Sequence, residues 1–161
     1  MAPIIRKILY ATDLGSHARS GFAHAVKLAQ SFGARIDVLH VNEPPVGYPE
    51  GVLSLYVSDA SQKEQRAEAL ARTEQEIRER VRRYCETEGC KDPDGGDWLS
   101  AIRVTEGPAA AEILRYARES GADIIVMGSH GKRAVTEILL GSTAHQVLQK
   151  AEVPVLLVRS E

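Results

Sequence analysis

A glycine-marked stretch in the last third of the chain holds the residues best suited to chemistry. An apolar run meets Gly128, Gly131 follows three residues later, and Gly141 precedes Ser142 and Thr143. The run is typical of a buried strand, and the two glycines allow a tight turn and a close backbone approach. Ser142 and Thr143 carry hydroxyls at capping positions of a predicted helix. A strand, a glycine turn and a helix N-terminus together predict a site for an anion.

Three strand ends are candidates for the rest of such a site, at Ala11-Thr12-Asp13, Val41-Asn42 and Met127-Gly128. In an open parallel sheet, ligands bind beyond the carboxyl ends of the strands, where the strand order reverses. If the first and fourth strands are neighbours, Thr12 and Asp13 face the glycine turn across a crevice. An acid for ribose hydroxyls and glycine N–H groups for phosphates are then complementary parts of one ligand site.

Each of these residues also has a plain structural explanation. Asp13 can cap the following helix, the two glycines can form an ordinary strand-to-helix turn, and His130 can be a loop residue without a role. Lys132 and Arg133 can be surface cations rather than partners of a phosphate. Their convergence on one crevice favours the functional interpretation.

The familiar catalytic and nucleotide motifs are absent from the sequence. No G-x-G-x-x-G follows the first predicted strand, and the residues around Lys132 do not form a P-loop. H-E-x-x-H and G-x-S-x-G are missing, and the five histidines have no metal-ligand spacing. No nucleophile has an evident general base beside it.

Length, composition and charge set the broad class. The chain has 161 residues, a length that fits a single domain over residues 1–161. A net charge of −2 argues against nucleic-acid binding, and no apolar run approaches the ~20 residues that span a bilayer. We expect no signal peptide and a cytoplasmic location. Cys85 and Cys90 match neither a redox nor a zinc motif, so we expect two reduced thiols.

Strand and helix patterns alternate along the chain, which predicts a doubly wound α/β domain. Ser16 is the expected N-cap of the first helix, Gly33 and Gly121 are expected helix ends, and Pro108 is expected at the first position of the third helix. The predicted strands are residues 7–12, 36–41, 98–104, 123–127 and 153–158, and the predicted helices are 16–33, 61–88, 108–121 and 141–150.

Two connections stand apart. The loop from Asn42 to Ala60 is rich in proline and glycine, and a loop of this length is more often functional than idle. The long helix after it has a narrow apolar stripe of Leu70, Ile77, Val81 and Tyr84, so its charges are expected to face water. The connection from Cys85 to Trp98 has no assigned role.

The pattern Gly128-x-x-Gly131, nine residues, Gly141-Ser142 resembles that of the universal stress protein family, in its nucleotide-binding branch. Segments along nearly the whole chain also resemble that family: residues 8–13 and 38–41 its first two strands, 106–108 its entry to the third helix, and 153–158 its last strand. Where this chain has Ala11, the family commonly has proline.

The resemblance implies a five-stranded parallel sheet of order 3-2-1-4-5 that holds ATP or another adenine nucleotide, with Mg²⁺ or Mn²⁺ as a candidate metal. It also implies a homodimer through the C-terminal strand from Val153 to Val158, which fits the tendency of an exposed edge strand to pair. The residues it implies for the nucleotide are Ala11, Thr12, Asp13 and Val41 on the adenosine side, Met127 and Gly128 along the ligand, and His130, Gly131, Lys132, Arg133, Gly141, Ser142 and Thr143 around the phosphates.

Three functions follow as hypotheses. The first is an ATP-binding stress-response protein that acts as a switch or sensor, because no general base accompanies the glycine pattern. The second is a slow metal-dependent ATPase assisted by Asp13 or His130. The third is a nucleotide-independent module that binds a partner through the loop from Asn42 to Ala60.

Overall fold

The computed structural model describes residues 3–43, 60–88, 96–131 and 139–159. Within them the chain forms β1 (Lys7–Thr12), α1 (Ala18–Phe32), β2 (Arg35–Asn42), α2 (Ala60–Glu88), a 3₁₀ turn (Gly96–Trp98), β3 (Leu99–Glu106), α3 (Ala109–Ser120), β4 (Ile124–Gly128), α4 (Ser142–Lys150) and β5 (Val155–Val158). The alternation of strands and helices is the one that the sequence predicts.

The five strands form one parallel sheet in the order β3-β2-β1-β4-β5, which confirms the predicted order. The chain leaves β1 toward β2 and β3 on one side, and later places β4 and β5 on the other. The reversal of strand order therefore lies between β1 and β4. At this point Ala11 is opposite Leu39 on β2 and Met127 on β4.

Helices cover both faces of the sheet, so the central strands are buried on both sides and are rich in apolar residues. Successive residues of a strand point to opposite faces of the sheet, so even-numbered and odd-numbered side chains of β1 enter different cores. Ile8 and Tyr10 pack with α1 and α2 on one face. Leu9 and Ala11 pack with α3 and α4 on the other.

The glycine helix ends are confirmed. Gly33 and Gly121 end α1 and α3 in the left-handed conformation, with φ of 63° and 68°. A side chain is strained in this conformation, so glycine at these two positions determines where each helix stops.

The predicted helix starts need correction. His17, not Ser16, is the N-cap of α1, and no side chain caps that end. Pro108 is the N-cap of α3 rather than its first residue. In both cases the helix begins one or two residues later than the pattern predicts. Capping preferences alone do not determine which of several adjacent residues becomes the N-cap.

Four of the five predicted strand starts also differ by one or two residues: β2 begins one residue earlier than expected, at Arg35, and β4 one residue later, at Ile124. Trp98 belongs to the 3₁₀ turn, where its ring packs 5.8 Å from that of Phe22, and β3 begins at Leu99. The last strand, β5, begins at Val155, two residues later than expected.

The long charged helix exists as predicted, with Ile77, Val81 and Cys85 buried and most of its other described side chains exposed or half-buried. In the last turns of this helix the buried residue is therefore Cys85, whereas the sequence pattern predicts Tyr84, which is half-buried. Cys90, the loop over residues 44–59 and most of the connection after α2 lie outside the described residues. No helix within the described ranges is long and apolar enough to cross a membrane.

Candidate functional site

The carboxyl ends of β1 and β4 form one corner of the molecule. The turn after β1 carries Asp13, and the turn after β4 carries Gly131. Asp13 Oδ2 lies 3.9 Å from the position that a Cβ would take on Gly131. The structure thus brings together the two residues that the sequence predicts to face each other across the switch point.

Two hydrogen bonds set the position of Asp13. The backbone N–H of Gly15 donates to Asp13 Oδ1 at 2.8 Å, and the N–H of Leu14 donates to Thr12 Oγ1 at 3.0 Å. Asp13 therefore closes the local turn, rather than capping α1 as its plain structural explanation expects. With Oδ1 engaged, Oδ2 is the oxygen that remains on the side of Gly131.

The glycine turn is bound to its neighbours through Ser129, which is 5% exposed. The N–H of Ser129 donates to the Val158 carbonyl of β5 at 3.0 Å, and its own carbonyl accepts from the N–H of Gly141 at 2.8 Å. Ser129 thereby fixes the distance between the glycine turn and the start of α4. The sequence gives one hint of this role, a small polar residue directly after the first glycine of the turn.

Gly141 must lie close to this turn. A Cβ on Gly141 would be 3.1 Å from the Ser129 carbonyl oxygen and 3.4 Å from Cα of His130. Both neighbours are backbone atoms, so they cannot rotate away. Glycine at position 141 therefore has a packing reason of its own.

The N-terminus of α4 differs from the prediction in its capping. Gly141 itself is the N-cap, and neither Ser142 nor Thr143 supplies a side-chain cap. His145 N–H closes the first helical turn on the Gly141 carbonyl at 2.9 Å. The backbone N–H groups of the helical residues before His145 have no acceptor within the helix. The positive end of the helix dipole therefore lies next to the glycine turn, where it suits an anion.

His130 is held by Ser129 as well. The Ser129 hydroxyl and His130 Nδ1 lie 2.9 Å apart, within hydrogen-bonding distance. His130 Nε2 is buried and has no hydrogen-bond partner among the described residues. A buried polar atom of this kind usually has a partner, so Nε2 is a candidate contact for a ligand.

The remaining predicted residues have different surroundings. Ala11 and Met127 are buried in the core shared with α3 and α4, and Val41 is half-buried against that core. Their side chains pack the floor of the corner instead of projecting from it. Lys132 and Arg133 lie outside the described residues.

Sequence reasoning missed His40, which joins the ends of the first two strands. Its Nδ1 donates to the Thr12 carbonyl at 2.7 Å, and the side-chain amide oxygen of Asn42 lies 2.9 Å from Nε2. The ring is 8% exposed and braces the end of β1 beside Asp13. Nothing in its sequence context distinguishes it from the other histidines.

The corner offers backbone N–H groups, one free carboxylate oxygen and one histidine nitrogen. The described residues contain no group of three or more His, Cys, Asp or Glu side chains that could hold a metal ion by themselves. Fold and site together define a doubly wound parallel α/β protein with a glycine-rich corner at its topological switch point.

The chain belongs to the universal stress protein family, whose family model matches residues 5–159. It is 32% identical over 159 residues to universal stress protein MJ0531 of Methanocaldococcus jannaschii, covering 97% of this chain and 83% of the relative. It is 30% identical over 159 residues to protein MJ0577 of the same organism, covering 99% and 98%.

Solved structures agree with this fold. The structure of MJ0577 superposes with a TM-score of 0.67 at 27% identity over 99% of both chains. The universal stress protein UspA of Lactobacillus plantarum has a TM-score of 0.72 at 23% identity, over 98% of this chain and 100% of that one. A universal stress protein solved in complex with cAMP shares the fold at a TM-score of 0.53 and 16% identity, covering 99% and 100%.

Proposed function

We propose that this chain is a nucleotide-binding universal stress protein that holds ATP, or another adenine nucleotide, at the corner between β1 and β4. The observation that carries the proposal is the placement of Asp13 Oδ2 beside Gly131. Gly131 belongs to the turn after β4, and the hydrogen bond from the Gly141 N–H to the Ser129 carbonyl holds this turn against the start of α4. The carboxylate suits ribose hydroxyls or an adenine amino group, and the helix N-terminus suits phosphates.

Gly131 supports this assignment because no neighbour among the described residues explains why this position is glycine. Its backbone is not in the left-handed conformation, and among the described residues a Cβ would meet only Asp13 Oδ2, at an ordinary 3.9 Å. An alanine at position 131 is therefore compatible with its described neighbours. A ligand whose phosphates approach the backbone closely would still require glycine there.

In this proposal the protein binds its nucleotide as a switch or sensor and turns it over slowly at most. The described groups of the corner that could act as a general base are the Asp13 carboxylate, held by the Gly15 N–H, and His130, paired with Ser129, and neither is bonded to a second ionisable side chain. A fold relative solved with cAMP supports the view that this architecture accommodates an adenine nucleotide. Residues 132–133, with their two cations, are proposed to contribute to phosphate binding.

The test is isothermal titration calorimetry with Mg²⁺–ATP on wild type, Gly131→Ala and Gly131→Val, with thermal unfolding of each. We expect Gly131→Ala to unfold within a few degrees of wild type and to bind ATP at least tenfold more weakly. Gly131→Val should abolish measurable binding. A wild type that binds no ATP at millimolar concentration would contradict the proposal.

The alternative of a slow metal-dependent ATPase rests on the Ser129–His130 pair. It predicts ATP turnover that requires Mg²⁺ or Mn²⁺ and is lost in His130→Ala. The assay measures the release of inorganic phosphate. Purified wild type that leaves ATP intact for hours would exclude it.

We further propose a homodimer through β5, which is an edge strand of the described sheet. Val155, Leu156 and Leu157 are only half-buried, so pairing with a second copy would cover them. Light scattering after gel filtration should give a dimer for wild type and a monomer for Leu157→Arg. The matched control, Phe32→Arg, alters an apolar side chain that is 54% exposed at the end of α1, and it should remain a dimer.

A further inference from the structure

The turn that carries Asp13 contains a strained residue. Leu14 has φ of 59°, the left-handed conformation, and is the one non-glycine residue with a positive φ in the ranges that the structure describes. This conformation is unfavourable for a side chain like that of leucine. It persists only where surrounding contacts hold it, and such contacts are commonly found at functional sites.

One of the contacts that hold the turn comes from outside it. Arg80, in the middle of α2, donates from Nη1 to the carbonyl of Leu14 at 3.1 Å. The other side of its guanidinium donates from Nη2 to Glu76 at 2.7 Å, one helical turn away. An arginine held at both ends gives the Leu14 carbonyl a donor in a fixed position.

The position of Arg80 is itself anchored by the core. Its neighbours on the helix, Ile77 and Val81, are each 3% exposed and pack against the sheet face that contains Tyr10. The Tyr10 hydroxyl is close enough to feel both charges, since Asp13 raises its pKa and Arg80 lowers it. Arg80 and Asp13 therefore belong to one small electrostatic neighbourhood, although no direct bond joins them.

We propose that Arg80 is a positioning residue for the nucleotide corner. By holding the Leu14 carbonyl, it keeps the turn in its left-handed form, and this keeps Asp13 Oδ2 on the side of Gly131. The inference rests on the proposed function, and it extends the binding machinery to a helix that contributes no residue to the corner. It also means that displacement of α2 weakens nucleotide binding.

The test compares two arginines on the same helix. Arg72 pairs with Glu68 in the same i,i+4 arrangement, but its described bonds stay within α2. Methionine keeps much of the apolar stem of either arginine and removes the donor. Because the Arg80 side chain is 40% exposed, both variants should fold.

We expect Arg80→Met to bind Mg²⁺–ATP about tenfold more weakly than wild type, in proportion to the cost of the left-handed conformation. Arg72→Met should bind like wild type. In the double variant Leu14→Gly, Arg80→Met, glycine adopts the turn conformation without help. Its ATP affinity should recover to within about threefold of wild type, even though loss of the leucine side chain lowers its melting temperature.

A purely structural role for Arg80 predicts the opposite pattern, in which the double variant loses both stability and affinity beyond Arg80→Met. That result, or equal affinity in the two methionine variants, would overturn the inference while leaving ATP binding by wild type intact. The amide resonances of Gly15 and Gly131 in nucleotide-free protein give an independent readout. They should shift in Arg80→Met and not in Arg72→Met, and unchanged resonances would overturn the inference whether or not wild type binds ATP.

Discussion

Alanine at position 141 perturbs the corner at its tightest backbone contact. Gly141 has φ of −60° and ψ of 148°, a conformation that any residue adopts, so the substitution introduces no backbone strain. The new Cβ would lie 3.1 Å from the Ser129 carbonyl oxygen, 3.4 Å from His130 Cα and 3.6 Å from the Gly131 nitrogen. The glycine turn and the start of α4 must therefore move apart by a few tenths of an ångström.

The magnitude follows from two effects. Overpacking a site whose neighbours are backbone atoms costs about 1–3 kcal/mol. Separation also weakens the 2.8 Å bond from the Gly141 N–H to the Ser129 carbonyl, which contributes about 1 kcal/mol. We expect a total loss of about 2 kcal/mol in the free energy of unfolding. The phosphate-binding amides move with the helix, so ATP affinity should fall at least tenfold.

Urea denaturation followed by circular dichroism measures the stability, and calorimetry with ATP measures the affinity. Gly121→Ala is the matched control, because it strains a left-handed helix end, at φ of 68°, that precedes β4, whereas the corner lies at the carboxyl end of that strand. This variant should lose about 1–2 kcal/mol of stability and keep its affinity for ATP. Wild-type stability and affinity in Gly141→Ala would refute the steric reasoning.

Two further predictions concern buried polar groups of the two central strands β1 and β2. Burial raises the pKa of Tyr10 from 10.0 to about 12, so the phenol ionises in the unfolded chain before it does in the folded one, and the free energy of unfolding falls by about 3 kcal/mol as the pH rises from 10 to 12. Urea unfolding of Tyr10→Phe should lack this alkaline loss, and should show about 1 kcal/mol less stability at pH 7 because the bond to the Ala18 carbonyl is gone; an identical alkaline loss in both proteins would contradict the assignment. Lys7 Nζ lies 3.1 Å from the carboxylate of Asp37, which is 1% exposed. Lys7→Met should therefore cost about 3–5 kcal/mol, because it removes the opposite charge and leaves the carboxylate with the hydrogen bond from the Tyr116 hydroxyl. Asp37→Asn, which removes the charge, should cost less, and the reverse order in denaturant titrations would show that the pair is not required.

The fold could be predicted because its signals are local and repeated. Apolar runs ended by Gly or a polar residue mark the strands, and Gly33 and Gly121 stop helices for a reason that depends on their own backbone conformation. The starts of helices were less predictable. At α1 and α4 the residues with capping side chains, Ser16 and Ser142, lie beside the N-cap and make no cap, because packing of the helix decides where it begins.

The site was predictable as a set of residue types and less so as a set of contacts. The glycine spacing and the strand-end aspartate indicate the corner, but they do not show that Asp13 uses one oxygen for its own turn and leaves the other toward Gly131. His40 and Ser129 brace the corner through bonds whose partners are distant in sequence or inside another element. No spacing rule in a single sequence reveals such partners.

The sequence by itself determined the order of strands and helices and the positions of the glycine turns, since these depend on local backbone freedom and on hydrophobic periodicity. The tertiary structure decided which oxygen of Asp13 faces the corner, why Gly141 must be glycine, and how Arg80 reaches the Leu14 carbonyl from another helix. These contacts arise only when distant segments are brought together, because their energies depend on distances of a few ångströms that the chain order does not encode.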